Sequence, residues 1–158
     1  MVFTAFLSIF SITQSNKGTL TNASTCLSPD KINSILSQVN VNVEIFVFDD
    51  VSTDSTIKVL EIFSDPRIKI FVNKAPSGSA ANNFCNSLLT ITDDTYKNYD
   101  FIALSDQDDI WCENKLKTAV DKLNANGFCL YASNLLLWEQ NSGRESIIKK
   151  DFPQKEFD

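Results

Sequence analysis

Three carboxylates in four residues, Asp106-Gln107-Asp108-Asp109, follow the apolar run Phe101-Ile102-Ala103-Leu104-Ser105 and precede Ile110-Trp111. Carboxylates this dense repel one another unless they share a cation or face water. The cluster therefore reads either as a solvated acidic turn capping the next helix or as a divalent-cation site. A second acidic pair, Asp49-Asp50, closes the strongly β run Val43-Glu44-Ile45-Phe46-Val47-Phe48. In a parallel sheet the carboxyl ends of such strands share one edge, and open α/β sheets bind ligands there. A ligand with a hydrogen-bonding ring at one end and a diphosphate at the other suits the pair of sites.

Composition narrows the chemistry further. The chain has no histidine, which removes Ser-His, Cys-His and His-metal constellations. Cys26, Cys85, Cys112 and Cys129 are scattered without a C-x-x-C pair, so reduced thiols are expected rather than a zinc site or a disulfide framework. A formal net charge of −6, with no basic run longer than Lys149-Lys150, argues against nucleic acid as a partner. A carboxylate cannot bind phosphate directly, and four glycines without a phosphate-binding loop offer no substitute. A divalent cation held by Asp106 and Asp108 reconciles acidic residues with a diphosphate. Hard oxygen ligands suit Mg²⁺ or Mn²⁺, which would neutralise charge on a departing diphosphate. A calcium loop counted from Asp106 fails, because Trp111 stands at its glycine position and Lys117 at its closing glutamate position. A receiver-type domain would need a later strand ending in lysine. A haloacid-dehalogenase-type phosphatase would need its Asp-x-Asp after the first strand. Here the residues after Asp109 end in a polar tail without such a strand, and the Asp-x-Asp lies two-thirds of the way along the chain, so both are minor readings.

These residues need elements to hold them. With 43% hydrophobic residues and twelve phenylalanines, the chain has enough apolar surface for one core. Met1 to Ile12 is apolar, lacks a positive flank and is too short to span a bilayer, so it reads as a strand, with a signal peptide as the minor alternative. Leu7–Ile12 reads as a first strand and Thr13–Leu27 as a long polar loop. Ser28-Pro29 supplies an N-cap and an N1 proline for a helix through Ile32, Ile35 and Leu36. After Val43–Phe48, Ser52-Thr53-Asp54 is expected to cap a helix carrying Ile57 and Leu60, ended by Asp65-Pro66. Ile68–Val72 is a third strand, and Pro76-Ser77-Gly78-Ser79 opens a helix with Phe84 and Leu88. Thr90–Asn98 is a polar connection. The acidic cluster leads into a helix from about Glu113 to Leu123, Asn126-Gly127 marks a turn, and Phe128–Ala132 is a further strand. From Asn141 onward little regular structure is expected. Strand alternating with helix gives an α/β fold with a mostly parallel sheet.

Val43 to Trp111 resembles the nucleotide-binding half of family-2 glycosyltransferases, the inverting GT-A type. Asp49-Asp50-Val51-Ser52-Thr53-Asp54 stands where that family has Asp-Asp-Gly-Ser-Thr-Asp. Gly78 to Asn83-Phe84 resembles its nucleotide-side loop and helix. Ser105-Asp106-Gln107-Asp108-Asp109-Ile110-Trp111, followed by Lys115-Leu116, is similar to the metal motif of its rhamnosyltransferase-like members. The resemblance implies a Rossmann-like half of a GT-A fold over residues 1–140, with 141–158 leading into an acceptor-binding half that is missing. It implies that Asp49, Asp50, Asn83 and Asp106 bind the nucleotide and that Asp106 and Asp108 hold Mn²⁺ or Mg²⁺. The donor would be a dTDP- or UDP-sugar, with rhamnose the favoured sugar. The acceptor would be a cell-surface polysaccharide or glycolipid precursor. The protein would work in the cytoplasm, with any membrane association peripheral and at the inner face.

Two departures from the family pattern bear on this. Val51 replaces the usual glycine, so a turn needing φ > 0 would be strained. Thr13-Gln14-Ser15-Asn16 stands where a Tyr-Asn pair is expected beside the nucleotide. The general base of an inverting transfer is expected beyond Asp158. The alternative is a shortened, catalytically inactive fragment that binds nucleotide-sugar.

Overall fold

A computed structural model describes residues 2–9, 27–91, 98–107, 109–133, 135–139 and 144–148. Its first compact unit, residues 1–118, is built on a four-stranded parallel sheet in the order β3-β2-β1-β4. The strands are β1 (Val2–Ile9), β2 (Asn42–Asp49), β3 (Ile68–Val72) and β4 (Phe101–Ser105). Helices α1 (Pro29–Leu36), α2 (Thr56–Phe63) and α3 (Ala80–Thr90) connect them, and α4 (Lys115–Asn126) follows β4.

β2 is buried along most of its length. Val43 and Ile45 to Phe48 are all buried, which is why it reads as a nearly continuous apolar run rather than an alternating one. Phe48 stacks on Phe71 of β3 at 4.8 Å between centroids, and Phe46 meets Tyr99 edge-on at 5.8 Å. Ile32 and Ile35 of α1, Leu60 of α2 and Leu116 of α4 are buried apolar side chains of the helices. Each such burial stabilises the unit by about 1.5–3 kcal/mol.

Most helix signals hold. Ser28 caps α1 by accepting from the Asp30 N–H at 3.2 Å, with Pro29 in the first turn. Ser79 caps α3 by accepting from the Asn82 N–H at 3.1 Å. α2 starts at Thr56, later than its cap signal, and the Asp54 carboxylate accepts from the Thr56 N–H at 2.9 Å. It ends with Ser64 in the left-handed region (φ 44°), just before Asp65-Pro66.

Three expectations are corrected. β1 spans Val2–Ile9, inside the run Met1–Ile12 that reads as a strand but starting before Leu7, and Phe10 to Ile12 lie outside the described residues. The apolar run from Val2 is the strand itself, because β1 sits between β2 and β4 and pairs with both. Phe128–Ala132 forms no strand, and Phe128 and Leu130 are exposed. β propensity alone does not hold a segment extended without a neighbouring strand to complete its ladder. The second compact unit, residues 119–158, instead contains an antiparallel pair, β5 (Leu135–Glu139) and β6 (Arg144–Ile148), where little regular structure was expected past Asn141.

Candidate functional site at the carboxyl edge of the sheet

β2 delivers Asp49 and Asp50 to the carboxyl edge, and both are buried, at 1% and 3% exposure. The chain turns there through Val51, whose φ of 64° lies in the left-handed region. That is the conformation a glycine would supply without strain. The turn brings the Ser52 N–H to Asp49 Oδ2 at 2.9 Å. Asp49 Oδ1 is buried with no hydrogen-bond partner among the described residues, and so is Ser52 Oγ. A buried carboxylate oxygen without a donor is costly, so this atom is where a ligand N–H or O–H has most to gain.

Asp50 is differently placed. Its Oδ1 accepts from Asn73 Nδ2 and from the Ser77 N–H, both at 2.7 Å, and its Oδ2 accepts from Ser77 Oγ at 2.9 Å. The carboxylate thus ties the ends of β2 and β3 to the loop before α3, leaving part of Oδ2 for a ligand. Asn83 lies beneath it, fully buried. It donates through Nδ2 to the Phe48 carbonyl at 3.0 Å and accepts at Oδ1 from Asn73 Nδ2 at 2.9 Å. The structure therefore sets Asn83 behind Asp50, acting on the edge through Asn73.

β4 delivers Asp106 to the same edge. The register Ile9↔Asp49 and Leu7↔Ser105 leaves only β1 between the two acidic sites. At a strand spacing of about 4.8 Å they are on the order of 10 Å apart. Asp106 is exposed, and its Oδ1 accepts from the Gln107 N–H at 2.8 Å. Ser105 Oγ and Gln107 Oε1 beside it are buried without partners among the described residues. Asp108 lies outside the described residues. Among the described residues no three cysteine or carboxylate side chains gather closely enough to hold a metal ion. The oxygen-rich, histidine-free donor set nonetheless has the chemistry of a Mg²⁺ or Mn²⁺ site.

Sequence reading missed Asn73, Ser77 and a set of α1 residues that reach the acidic loop. Asn73 follows directly on β3, so the strand-end rule that found Asp50 would have found it. Trp111 is buried and lines an open cleft of about 550 Å³ with Ser34, Asp30, Arg67 and Glu113. Asp49, Asp50 and Asp106 are not among its lining residues, so that cleft is separate from the carboxyl-edge site.

Comparison with known proteins decides what this arrangement belongs to. The family model described as glycosyl transferase family 2 matches residues 29–150. The chain belongs to that family. Among family 2 relatives, a dTDP-rhamnosyl transferase, RfbG of Shigella flexneri, is 39% identical over 139 residues, covering 84% of this chain and 46% of its own length. A UDP-Glc:alpha-D-GlcNAc-diphosphoundecaprenol beta-1,3-glucosyltransferase, WfgD of Escherichia coli, is 38% identical over 112 residues, covering 70% of this chain and 41% of its own. This family 2 chain thus spans less than half the length of either relative. The crystal structure of S. aureus TarS 1-349 superposes with a TM-score of 0.60 at 20% identity, over 80% of this chain and 33% of that one. The fold is therefore the mixed α/β, parallel-sheet arrangement of GT-A glycosyltransferases, as the sequence implied. Among the described residues no helix is long and apolar enough to cross a membrane.

Proposed function

We propose that this domain binds a nucleotide-diphospho-sugar across the carboxyl edge of its sheet and serves the transfer of that sugar to a saccharide or lipid-linked acceptor. The observation that carries the reading is Asp49 Oδ1, a buried carboxylate oxygen without a donor among the described residues, on the same edge as Asp106. Uracil and thymine both present a ring N–H that this oxygen would accept, and Asp50 would receive a ribose hydroxyl on Oδ2. Asn83 fixes Asp50 through Asn73. Asp106 and Asp108 would hold the divalent cation with the diphosphate, and the cation would supply charge neutralisation as the diphosphate departs.

The relatives' names support both a dTDP-sugar and a UDP-sugar as donor, and RfbG favours rhamnose. The diphosphoundecaprenol in WfgD's name supports a lipid-linked acceptor, and with it a reading in which the chain works at the inner face of the membrane by peripheral association. No residue of this chain is assigned as the base that deprotonates the acceptor hydroxyl.

Calorimetric titration with UDP and dTDP, with and without Mn²⁺, tests the donor site. Expected are pyrimidine-diphosphate binding strengthened by Mn²⁺, loss of that strengthening in Asp106→Ala and Asp108→Ala, and weakened binding with or without metal in Asp49→Asn. No binding of either nucleotide, or binding unaltered in all three variants, overturns the reading. A span of less than half of each relative favours a second reading for these residues by themselves, namely donor binding without turnover. Sugar-nucleotide hydrolysis and transfer assays on the same protein separate the two.

A further inference from the structure

Helix α1 lies far in sequence from the acidic loop, yet a row of its polar groups is spent on that loop's backbone. Lys31, Ser34 and Gln38 recur at intervals of three and four residues, so they follow one helical face into the turn past its end. Lys31 is fully buried, and its ammonium donates to the Asp109 carbonyl. Ser34 Oγ accepts from the Trp111 N–H at 3.1 Å. Gln38 is used at both ends: Nε2 donates to the Cys112 carbonyl at 2.7 Å, and Oε1 accepts from the Leu116 N–H at 2.9 Å. The Val39 N–H adds a bond to the Glu113 carbonyl at 2.9 Å. Trp111 has the Lys31 ammonium 5.2 Å from its ring centroid and that of Lys115 at 5.0 Å.

Burying an ammonium is expensive, and an apolar side chain of similar length would fill the same space more cheaply. The Lys31 ammonium is directed at the backbone carbonyl of Asp109, immediately after Asp106-Gln107-Asp108. We propose that Lys31, with Ser34 and Gln38, is a positioning residue that sets the backbone of the acidic loop and thereby its affinity for a divalent cation and diphosphate. This rests on the donor-site reading above. The bonds described run to backbone atoms of residues 109–116, so the three side chains act through the loop.

The test uses the full 158-residue chain. UDP is titrated with and without Mn²⁺ into wild type, Lys31→Met, Lys31→Arg, Gln38→Ala and Asp106→Asn, with thermal unfolding of each variant recorded. In Lys31→Met and Gln38→Ala the Mn²⁺ enhancement of UDP affinity is expected to fall on the order of 10- to 100-fold, as when the partners that orient metal ligands are removed. Metal-free UDP binding stays at the wild-type level, because Asp49 and Asp50 are untouched. Lys31→Arg keeps the charge and the donor and restores part of the enhancement. A merely structural role would lower both kinds of binding together with the folded fraction. If Lys31→Met does not fold, Gln38→Ala and Ser34→Ala decide the matter. Wild-type enhancement in Lys31→Met and Gln38→Ala, with enhancement lost in Asp106→Asn, overturns the positioning role and leaves the donor site standing. Enhancement retained in Asp106→Asn, or absent from the wild type, overturns the donor site and the positioning role with it.

Discussion

Val51 occupies a left-handed conformation that a β-branched residue adopts only under constraint, and it does so between the two halves of the acidic turn. The cost for an L-residue there is roughly 1–2 kcal/mol, and the turn persists because Asp49 Oδ2 gains the Ser52 N–H by it. Val51→Gly removes the strain but gives the unfolded chain more freedom, which offsets part of the gain. The variant is expected to be more stable by about 0.5–1 kcal/mol, seen as a higher midpoint in urea with an unchanged slope. The Asp49 contact should survive, so pyrimidine-diphosphate affinity should stay within a factor of about 2. A lower midpoint would mean that the valine side chain, although exposed, contributes packing that outweighs its backbone strain.

At the level of elements, β2, β3 and α3 are joined beneath the site by Asn83 and Asn73. Asn83→Ala leaves the Phe48 carbonyl without that donor and Asn73 without one acceptor, and is expected to cost about 2 kcal/mol in chemical denaturation. It should also weaken nucleotide binding, because Asp50 loses the support that reaches it through Asn73. Elsewhere on the sheet, Glu44 of β2 meets Lys69 of β3 at 2.6 Å and also accepts from Tyr99. Lys69 first, then Tyr99, holds the Glu44 carboxyl below its ordinary value of 4.5. A depressed carboxylate contributes stability that is present above 4.5 and is lost as pH falls through the lowered value. The ion pair is largely exposed, so at most about 1 kcal/mol is at stake. Glu44→Gln should flatten the stability profile by that amount below pH 4.5 and leave the acidic site unaffected. What was legible in the sequence follows the same division. β2 was legible because burial on both faces writes itself as an unbroken apolar run, and Asp49, Asp50 and Asp106 were legible because they end strands. Asn73, Ser77 and the α1 residues act across 23 to 78 positions of chain, and only the topology brings them to the edge. β6 begins Arg144-Glu145-Ser146, which carries no apolar alternation, so its pairing with β5 was hidden.

For the molecule as a whole, a net charge of −6 and a pI near 4.6 set the field that an incoming ligand meets. A nucleoside diphosphate is itself an anion, and the proposed site draws it to an edge lined by Asp49, Asp50 and Asp106. Without a divalent cation, both the overall field and the local carboxylates oppose binding. Salt screens such repulsion over a Debye length of about 10 Å at 0.1 M and about 30 Å at 0.01 M. Metal-free affinity for UDP should therefore rise as monovalent salt is raised from about 10 mM to about 100 mM, against the usual trend for a charged ligand and its site. With Mn²⁺ held by Asp106 and Asp108, the nearest charge the phosphates would meet is positive, and the same increase in salt should weaken that contact. Isothermal titration at the two salt concentrations, with and without Mn²⁺, reads both slopes. Opposite signs are expected. A metal-free affinity that falls with salt would mean that the phosphates meet cationic side chains of the protein rather than the carboxylates of this edge.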